Sequence, residues 1–150
     1  SGSGRAAVRA GDAITTASEN VAIGTHALGD NTSGTANVAV GTRAGDKITT
    51  GSSHTVVGDD ALGACTTGTN TVAVGASALA AFTTGDAATA VGYRALNANT
   101  TGNANTAVGY DAGLLIDTGT HNVMVGVQAG DATTSAVAIV PASYLSGSGA

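Results

Sequence analysis

The stretch TAVGYRALNANTTGNANTAVGY, residues 89–110, contains one short segment twice. Thr-Ala-Val-Gly-Tyr occupies residues 89–93 and returns at residues 106–110, with a polar, glycine-containing segment between the copies. The same offset holds along nearly the whole chain. A fixed period without insertions is typical of repeat proteins in which each unit stacks on the next. The glycines that end each short apolar segment are Gly24, Gly41, Gly58, Gly75, Gly92, Gly109 and Gly126.

The repeat predicts an all-β solenoid built from 17-residue coils. Each unit opens with a three-residue apolar segment such as Val38-Ala39-Val40, and β-branched residues of this kind favour strands. A second glycine follows later in the repeat, directly after a pair of hydroxyl residues such as Thr49-Thr50. A helix of this length would carry glycine in its interior twice, at a cost of about 1 kcal/mol each time. We therefore predict two strands and two turns per coil, with the weaker second strand between the two glycines.

The alternation within each strand predicts which residues face the core. Side chains alternate between the two faces of a strand, so the β-branched residues point one way and the central alanine points the other. We assign the β-branched column to the interior, which places Val40, Val57, Val74, Val91 and Val108 inside the coil. The alanine column then lies outside, where small side chains let another chain approach closely. It forms the hypothetical interface between chains: Ala22, Ala39, Ala73, Ala90 and Ala107.

Composition excludes several classes of function. The chain of 150 residues carries a net charge of −5 and few basic side chains, which argues against nucleic-acid binding. It has no continuous apolar stretch of about 18 residues and no basic and apolar leader, so neither membrane insertion nor a signal peptide is expected. A single cysteine excludes an intrachain disulfide framework. We expect no cofactor.

The domain boundaries follow the repeat. Residues 1–5 are assigned to a linker or module junction, residues 6–140 to a β-roll of about eight repeats, and residues 141–150 to a cap and linker. The Ser-Gly segments at both ends fit either a flexible linker or a junction between modules of a longer filament. Within the last segment, Pro141 is expected to end the ladder, and Tyr144 and Leu145 to cover the final coil.

The side chains that could carry chemistry do not form a catalytic or metal site. His26, His54 and His121 fall in different columns of the repeat, so they make no ladder of metal ligands. Asp59 and Asp60 form an isolated acidic pair at a turn. Cys65 replaces isoleucine or phenylalanine in its column and is predicted to be an apolar filler. The asparagines four positions before the strand glycine are predicted to hydrogen-bond along the rod axis, as a structural ladder; they are Asn20, Asn37, Asn105 and Asn122.

Two other functional classes can be compared with the residue columns of this repeat. A hexapeptide-repeat acyltransferase would show a six-residue repeat and a column of catalytic histidines, and neither is present. An ice-binding solenoid is an alternative because the threonine pairs are regular. Adjacent residues face opposite sides of a strand, however, so only one threonine of each pair can face outward.

The recurring motifs resemble a known family. "NVAIG", "NVAVG" and "NTAVG", each followed by alanine at the third position after the glycine, resemble the head repeats of YadA-like trimeric autotransporter adhesins and repeats of phage tail-fibre proteins. The resemblance covers about residues 6–140. It implies a left-handed parallel β-roll, assembled as a homotrimer, and a structural or adhesive role without catalysis in a fibre on a cell surface or virion. Modules joined end to end and a host receptor or glycan as ligand are further expectations, and a self-assembling extracellular filament is an alternative.

Overall fold

The computed structural model describes residues 4–5 and 10–130 of the chain, and this part is a parallel β-solenoid of about six turns. It contains one sheet, in which the strands follow one another in sequence order and every neighbouring pair is parallel. No helix occurs among the described residues. The predicted all-β solenoid is therefore confirmed. The strands are β1 (Gly4–Arg5), β2 (Val21–Ile23), β3 (Val38–Val40), β4 (Thr55–Val57), β5 (Val72–Val74), β6 (Thr89–Val91), β7 (Thr106–Val108) and β8 (Val123–Val125).

The register between coils is one repeat throughout the described sheet. Ala22 pairs with Ala39 and Val74 pairs with Val91, each with its equivalent in the next coil. Directly after the strands, the amide of Gly41 donates to the carbonyl of Ile23 at 2.7 Å, and the equivalent bond recurs at the following strand glycines. The strand glycines therefore lie in register in successive coils, as the fixed spacing of 17 residues predicts.

Both the backbone conformation and the limited space between coils require glycine at these positions. Their φ angles lie between +127° and +142°, a region that residues with side chains rarely adopt. A Cβ atom on Gly75 would overlap the backbone carbonyl of Gly92 in the next coil. The presence of glycine in every copy of this column therefore has a steric cause.

The predicted second strand does not form. Outside β1 to β8 the described coil consists of turns, with one isolated bridge between Ser52 and Thr69. The chain must bend sharply to close a small coil, and it does so through residues with left-handed backbone, such as His26, Leu28 and Ala36, at φ of 60°, 50° and 57°. Extended backbone is incompatible with these corners. Hydrogen bonds between coils nevertheless continue through the turns.

The interior is narrow and is filled by a small set of side chains from each coil. Leu79 and Phe82 are fully buried in one coil, and the small Ala88 accompanies them. Where glycine replaces the leucine, as at Gly45, the side chain of Ile48 fills the space, because a Cβ on Gly45 would lie 2.7 Å from its Cδ1. Gly45 and Ile48 therefore compensate each other in size, as close packing requires.

Two interior positions are polar and unpaired. Asn31 and Asn99 occupy the column that holds Ile48, Cys65, Phe82 and Ile116 in other coils. Both are fully buried, and their side-chain amides have no hydrogen-bond partner in the described chain. An unpaired buried amide reduces stability by about 1–3 kcal/mol, so these are weak points of the core.

The boundaries of the solenoid differ in part from the prediction. Gly4 and Arg5, assigned from the sequence to a linker, pair with Val21 and Ala22 in the same register as the later strands. The ladder therefore begins earlier than residue 6. The predicted last strand and cap, including Pro141, Tyr144 and Leu145, lie outside the described residues.

Candidate interaction surface

The predicted interface lies inside the coil. Ala22 is 1% exposed, and the other four alanines of the expected contact are completely buried: Ala39, Ala73, Ala90 and Ala107. The assignment of the two strand faces was therefore wrong. The reason is the width of the coil, which side chains from the turns, such as Leu79 and Phe82, already fill. Only a small side chain fits from the strand, so the branched residues point outward.

The valines predicted to be buried lie on the outer face. Val57 and Val108 are 37% and 38% exposed. The other three, Val40, Val74 and Val91, are half-buried. No second layer of the described chain covers them.

The outward side chains of β2 to β8 form a continuous surface, which we call the strand face. It consists of the first and third residues of each strand, and every one of them is a β-branched valine, isoleucine or threonine. None of them is charged. The first residues are Val21, Val38, Thr55, Val72, Thr89, Thr106 and Val123, and the third are Ile23, Val40, Val57, Val74, Val91, Val108 and Val125.

The strand face is regular in two directions. Neighbouring strands of a sheet are about 4.8 Å apart, and alternate residues along a strand are roughly 6.6 Å apart. Side chains branched at Cβ have few rotamers, so they hold these positions with little loss of entropy on contact. The face is thus a narrow, rigid and largely apolar strip, two side chains wide.

Two tyrosines border the strand face near its C-terminal end, and we call them the tyrosine rim. Tyr93 and Tyr110 are 46% and 49% exposed, and their rings stack with centroids 5.4 Å apart. The guanidinium of Arg94 lies 5.1 Å from the centre of the Tyr93 ring. It also donates two hydrogen bonds, of 2.9 and 2.6 Å, to the buried carboxylate of Asp111. The equivalent positions in the N-terminal coils, such as Thr25, are not aromatic.

The asparagine column is an internal hydrogen-bond ladder along the axis, as predicted. Asn20 accepts from the amide of Asn37 at 2.8 Å, and its own side-chain amide donates to the carbonyl of Gly34. Most of these bonds link a side chain to the backbone of the next coil. Between Asn122 and Asn105 two side-chain amides meet, at 3.0 Å.

His54 replaces asparagine in this ladder. Its Nδ1 accepts from the amide of Thr71 at 3.3 Å, which leaves the ring proton on Nε2, 2.7 Å from the carbonyl oxygen of Gly68. Burial lowers the pKa of His54, and the hydrogen bond to Gly68 and the charge of Asp86 oppose this effect. The sequence placed His54 four positions before the strand glycine, the asparagine position, but its role as a substitute was missed.

The remaining candidates are dispersed. Asp60 faces Arg43, with 3.7 Å between the carboxylate and the guanidinium, whereas Asp59 is an exposed turn residue. Cys65 is buried, and desolvation raises the pKa of its thiol to about 11. Across residues 4–5 and 10–130, no three histidine, cysteine or acidic side chains are grouped as metal ligands.

The threonine pairs of the later coils have a half-buried first member and an exposed second member, as at Thr49 and Thr50. The first hydroxyl of each pair serves the ladder: Thr49 donates to the carbonyl of Thr66 at 3.1 Å, and Thr83 to that of Thr100 at 3.0 Å. The second member, as at Thr84, is exposed. In the N-terminal coils both members are exposed, as at Thr15 and Thr16, and both hydroxyls donate to the carbonyl of Thr32. The pairs lie outside β2 to β8, so the alternation of a strand does not decide which hydroxyl faces outward.

Comparison with protein-family models, curated proteins and solved structures gave no match. Within the described part of the chain there is also no helix long and apolar enough to cross a membrane. The strand face and the tyrosine rim are thus interpreted from their own chemistry.

Proposed function

We propose that this chain is a structural segment of a fibre outside the cell, on a bacterial surface or a virion, and that it acts without catalysis. The observation that supports this most is the strand face, which runs uncharged along every coil from β2 to β8. A monomeric protein rarely exposes so continuous an apolar strip, and such surfaces are typical of protein contacts. The resemblance of the repeats to adhesin heads and tail fibres points the same way.

The fibre is proposed to form by parallel packing of identical chains over their strand faces. Covering the exposed part of one valine stabilises a complex by about 1 kcal/mol. One coil cannot offset the cost of association, roughly 4–15 kcal/mol, but the same contact repeated in every coil can. In-register packing repeats the contact because all coils share one period.

A homotrimer suits the narrow shape of the strand face. Around a threefold axis, the column of first strand residues in one chain would pack against the column of third residues in the next. Each chain would then use both columns and close the assembly, as cyclic symmetry requires. The turns of each chain would stay on the outside of the trimer. Modules joined end to end would extend the fibre and present a receptor-binding or glycan-binding tip.

The test is the oligomeric state of the parent and of a strand-face variant. We expect light scattering and sedimentation to give a trimer for the parent. Val74→Lys places a charge in the proposed contact and should yield monomers that keep the β spectrum, because Val74 points outward. Thr84→Lys, on an exposed turn, is the matched control and should remain trimeric. A parent that is monomeric at all concentrations contradicts the proposal.

An ice-binding solenoid is the second candidate, and the two-column array favours it. The objection that only one threonine of each pair faces outward does not apply to the strand face, where two β-branched columns face outward together. A rigid, flat lattice of methyl and hydroxyl groups can order water in register with ice. A monomeric parent with thermal hysteresis, abolished by Val74→Lys and kept by Thr84→Lys, would support this function over the fibre.

A further inference from the structure

The outer surface of the solenoid is not uniform along its length. The residue after the strand glycine is tyrosine in two neighbouring coils, at Tyr93 and Tyr110. In the other coils it is not aromatic: Thr25, Thr42, Asp59, Ala76 and Val127. This position follows the third column of the strand face after a single intervening glycine, so its Cα atom lies within about 7 Å of that column. Aromatic residues thus follow the strand face only after β6 and β7, in the C-terminal half of the described solenoid.

The two rings are held in place before any partner binds. They stack on each other, and Arg94 lies over Tyr93 while its guanidinium is fixed by two hydrogen bonds to Asp111. Ordering a side chain on association costs entropy, and this cost is reduced for groups that are already fixed. Tyrosine is also among the residues that contribute most to binding energy at protein interfaces, and both of these tyrosines are half-exposed.

The charged groups that contact the rings are already paired within the chain. Asp111 neutralises Arg94, and the side-chain amide of Asn97 donates to the carbonyl of Ser77 at 2.9 Å. A charged peptide would need free charges at this place. A neutral, apolar partner needs none, and a second copy of this chain in parallel register presents such a surface.

We infer that the tyrosine rim anchors the contact with a second copy, so that association is stronger in the C-terminal half of the described solenoid than in the N-terminal half. The inference rests on the proposed packing of chains over the strand face. It adds that the rim, rather than the repeated valines alone, sets the affinity.

The test replaces both tyrosines by the residue that the N-terminal coils carry, as Tyr93→Thr with Tyr110→Thr. We expect the concentration of half-dissociation to rise at least about tenfold. Leu115→Thr is the matched control, because Leu115 is also 50% exposed but lies on a turn away from the strand. It should change the dissociation concentration by less than about threefold. Circular dichroism and melting check that each variant is folded.

The outcomes separate the inference from the proposed function. If the parent is an oligomer and the double tyrosine variant dissociates no more readily than Leu115→Thr, the rim is not the anchor and the fibre proposal stands. If the parent never associates, both fail. The reverse change, Thr25→Tyr with Thr42→Tyr, extends the aromatic column and should tighten association; no gain would contradict the inference.

Discussion

At the scale of single residues, the exceptions within each column are the most informative positions. His54 shows this best, because its imidazole makes the hydrogen bonds that an asparagine side chain makes in other coils. Its Nδ1 must be unprotonated to accept from Thr71, and the ring is almost completely buried. A proton on Nδ1 would point directly at the Thr71 amide. The folded coil therefore favours the neutral ring.

This preference predicts a pH dependence of stability. The unfolded histidine takes up a proton near its ordinary pKa of 6.5, whereas the folded one does so only at lower pH. The contribution of His54 is then complete above about pH 6.5 and is lost as the pH falls from there toward the folded pKa. His54→Asn keeps a ladder residue without a titrating ring. Between pH 8 and 5, chemical unfolding should show the parent losing more free energy than this variant, by on the order of 1 kcal/mol.

The control for this experiment is His121→Asn, which alters an exposed histidine outside the ladder. It should follow the parent over the same range. Equal pH profiles for the parent and His54→Asn would show that the buried imidazole does not resist protonation.

At the scale of the coil, the strand glycine is the element on which the stacking depends most. Gly75 has a φ of +132°, and a Cβ there would overlap the carbonyl of Gly92. We expect Gly75→Ala to reduce the free energy of unfolding by roughly 2–4 kcal/mol, because it combines backbone strain with a clash between coils. Thermal or denaturant unfolding measures this directly.

Gly63→Ala is the matched control in a neighbouring turn. Its backbone has no positive φ, a Cβ would meet only the side chain and carbonyl of Asp60 in its own turn, and the equivalent residue of the next coil is Ala80. The change should cost less than about 1 kcal/mol. Similar losses for the two variants would mean that the stacked glycine contact is not limiting.

The register of the coils could be predicted from the sequence, but the faces of the strand could not. The register followed from the spacing of Gly24, Gly41 and their successors, since only one offset keeps all of them aligned. The faces did not follow, because alternation alone does not say which side is the core. Thr55, Thr89 and Thr106 carried the signal that was missed: their column tolerates hydroxyls, as an outer face does.

The conformation of the turns and the composition of the surface were harder to predict from the sequence. Residues such as Leu28 and Leu62 usually favour regular structure, yet here they adopt left-handed corners at a φ of 50°. Their burial in a narrow coil overrides that local preference. The position of the tyrosine rim depends on both the turn and the outward face, so it could not be predicted while the faces were assigned the wrong way round.

At the scale of the whole molecule, the described solenoid is a linear stack in which each coil pairs with its neighbours. All described strands pair in sequence order with the same offset of one repeat. Stability in such a stack is a sum of coil and neighbour contributions. The length of the rod should therefore be adjustable by whole repeats and by nothing else.

This predicts opposite results for two deletions that differ by a single residue. Removing residues 59–75 joins Gly58 to Ala76 and leaves every later interior side chain in its column. We expect a cooperative, slightly less stable fold. Removing residues 59–74 leaves one extra glycine and puts the following coils out of register. Its melting temperature should fall by at least about 10 °C more than that of the other variant, or its transition should vanish. Equal melting curves would contradict strict stacking.

The burial of Asn31 and Asn99 also determines whether a cell can glycosylate the folded protein. Asn31-Thr32-Ser33 and Asn99-Thr100-Thr101 are both N-glycosylation sequons. In the folded coil their amides are enclosed, so no oligosaccharyltransferase can reach them. An enzyme that acts on the chain before it folds would instead attach a bulky sugar where only a side chain fits. Production in a eukaryotic secretory pathway should thus give misfolded glycoforms, whereas bacterial expression avoids the modification.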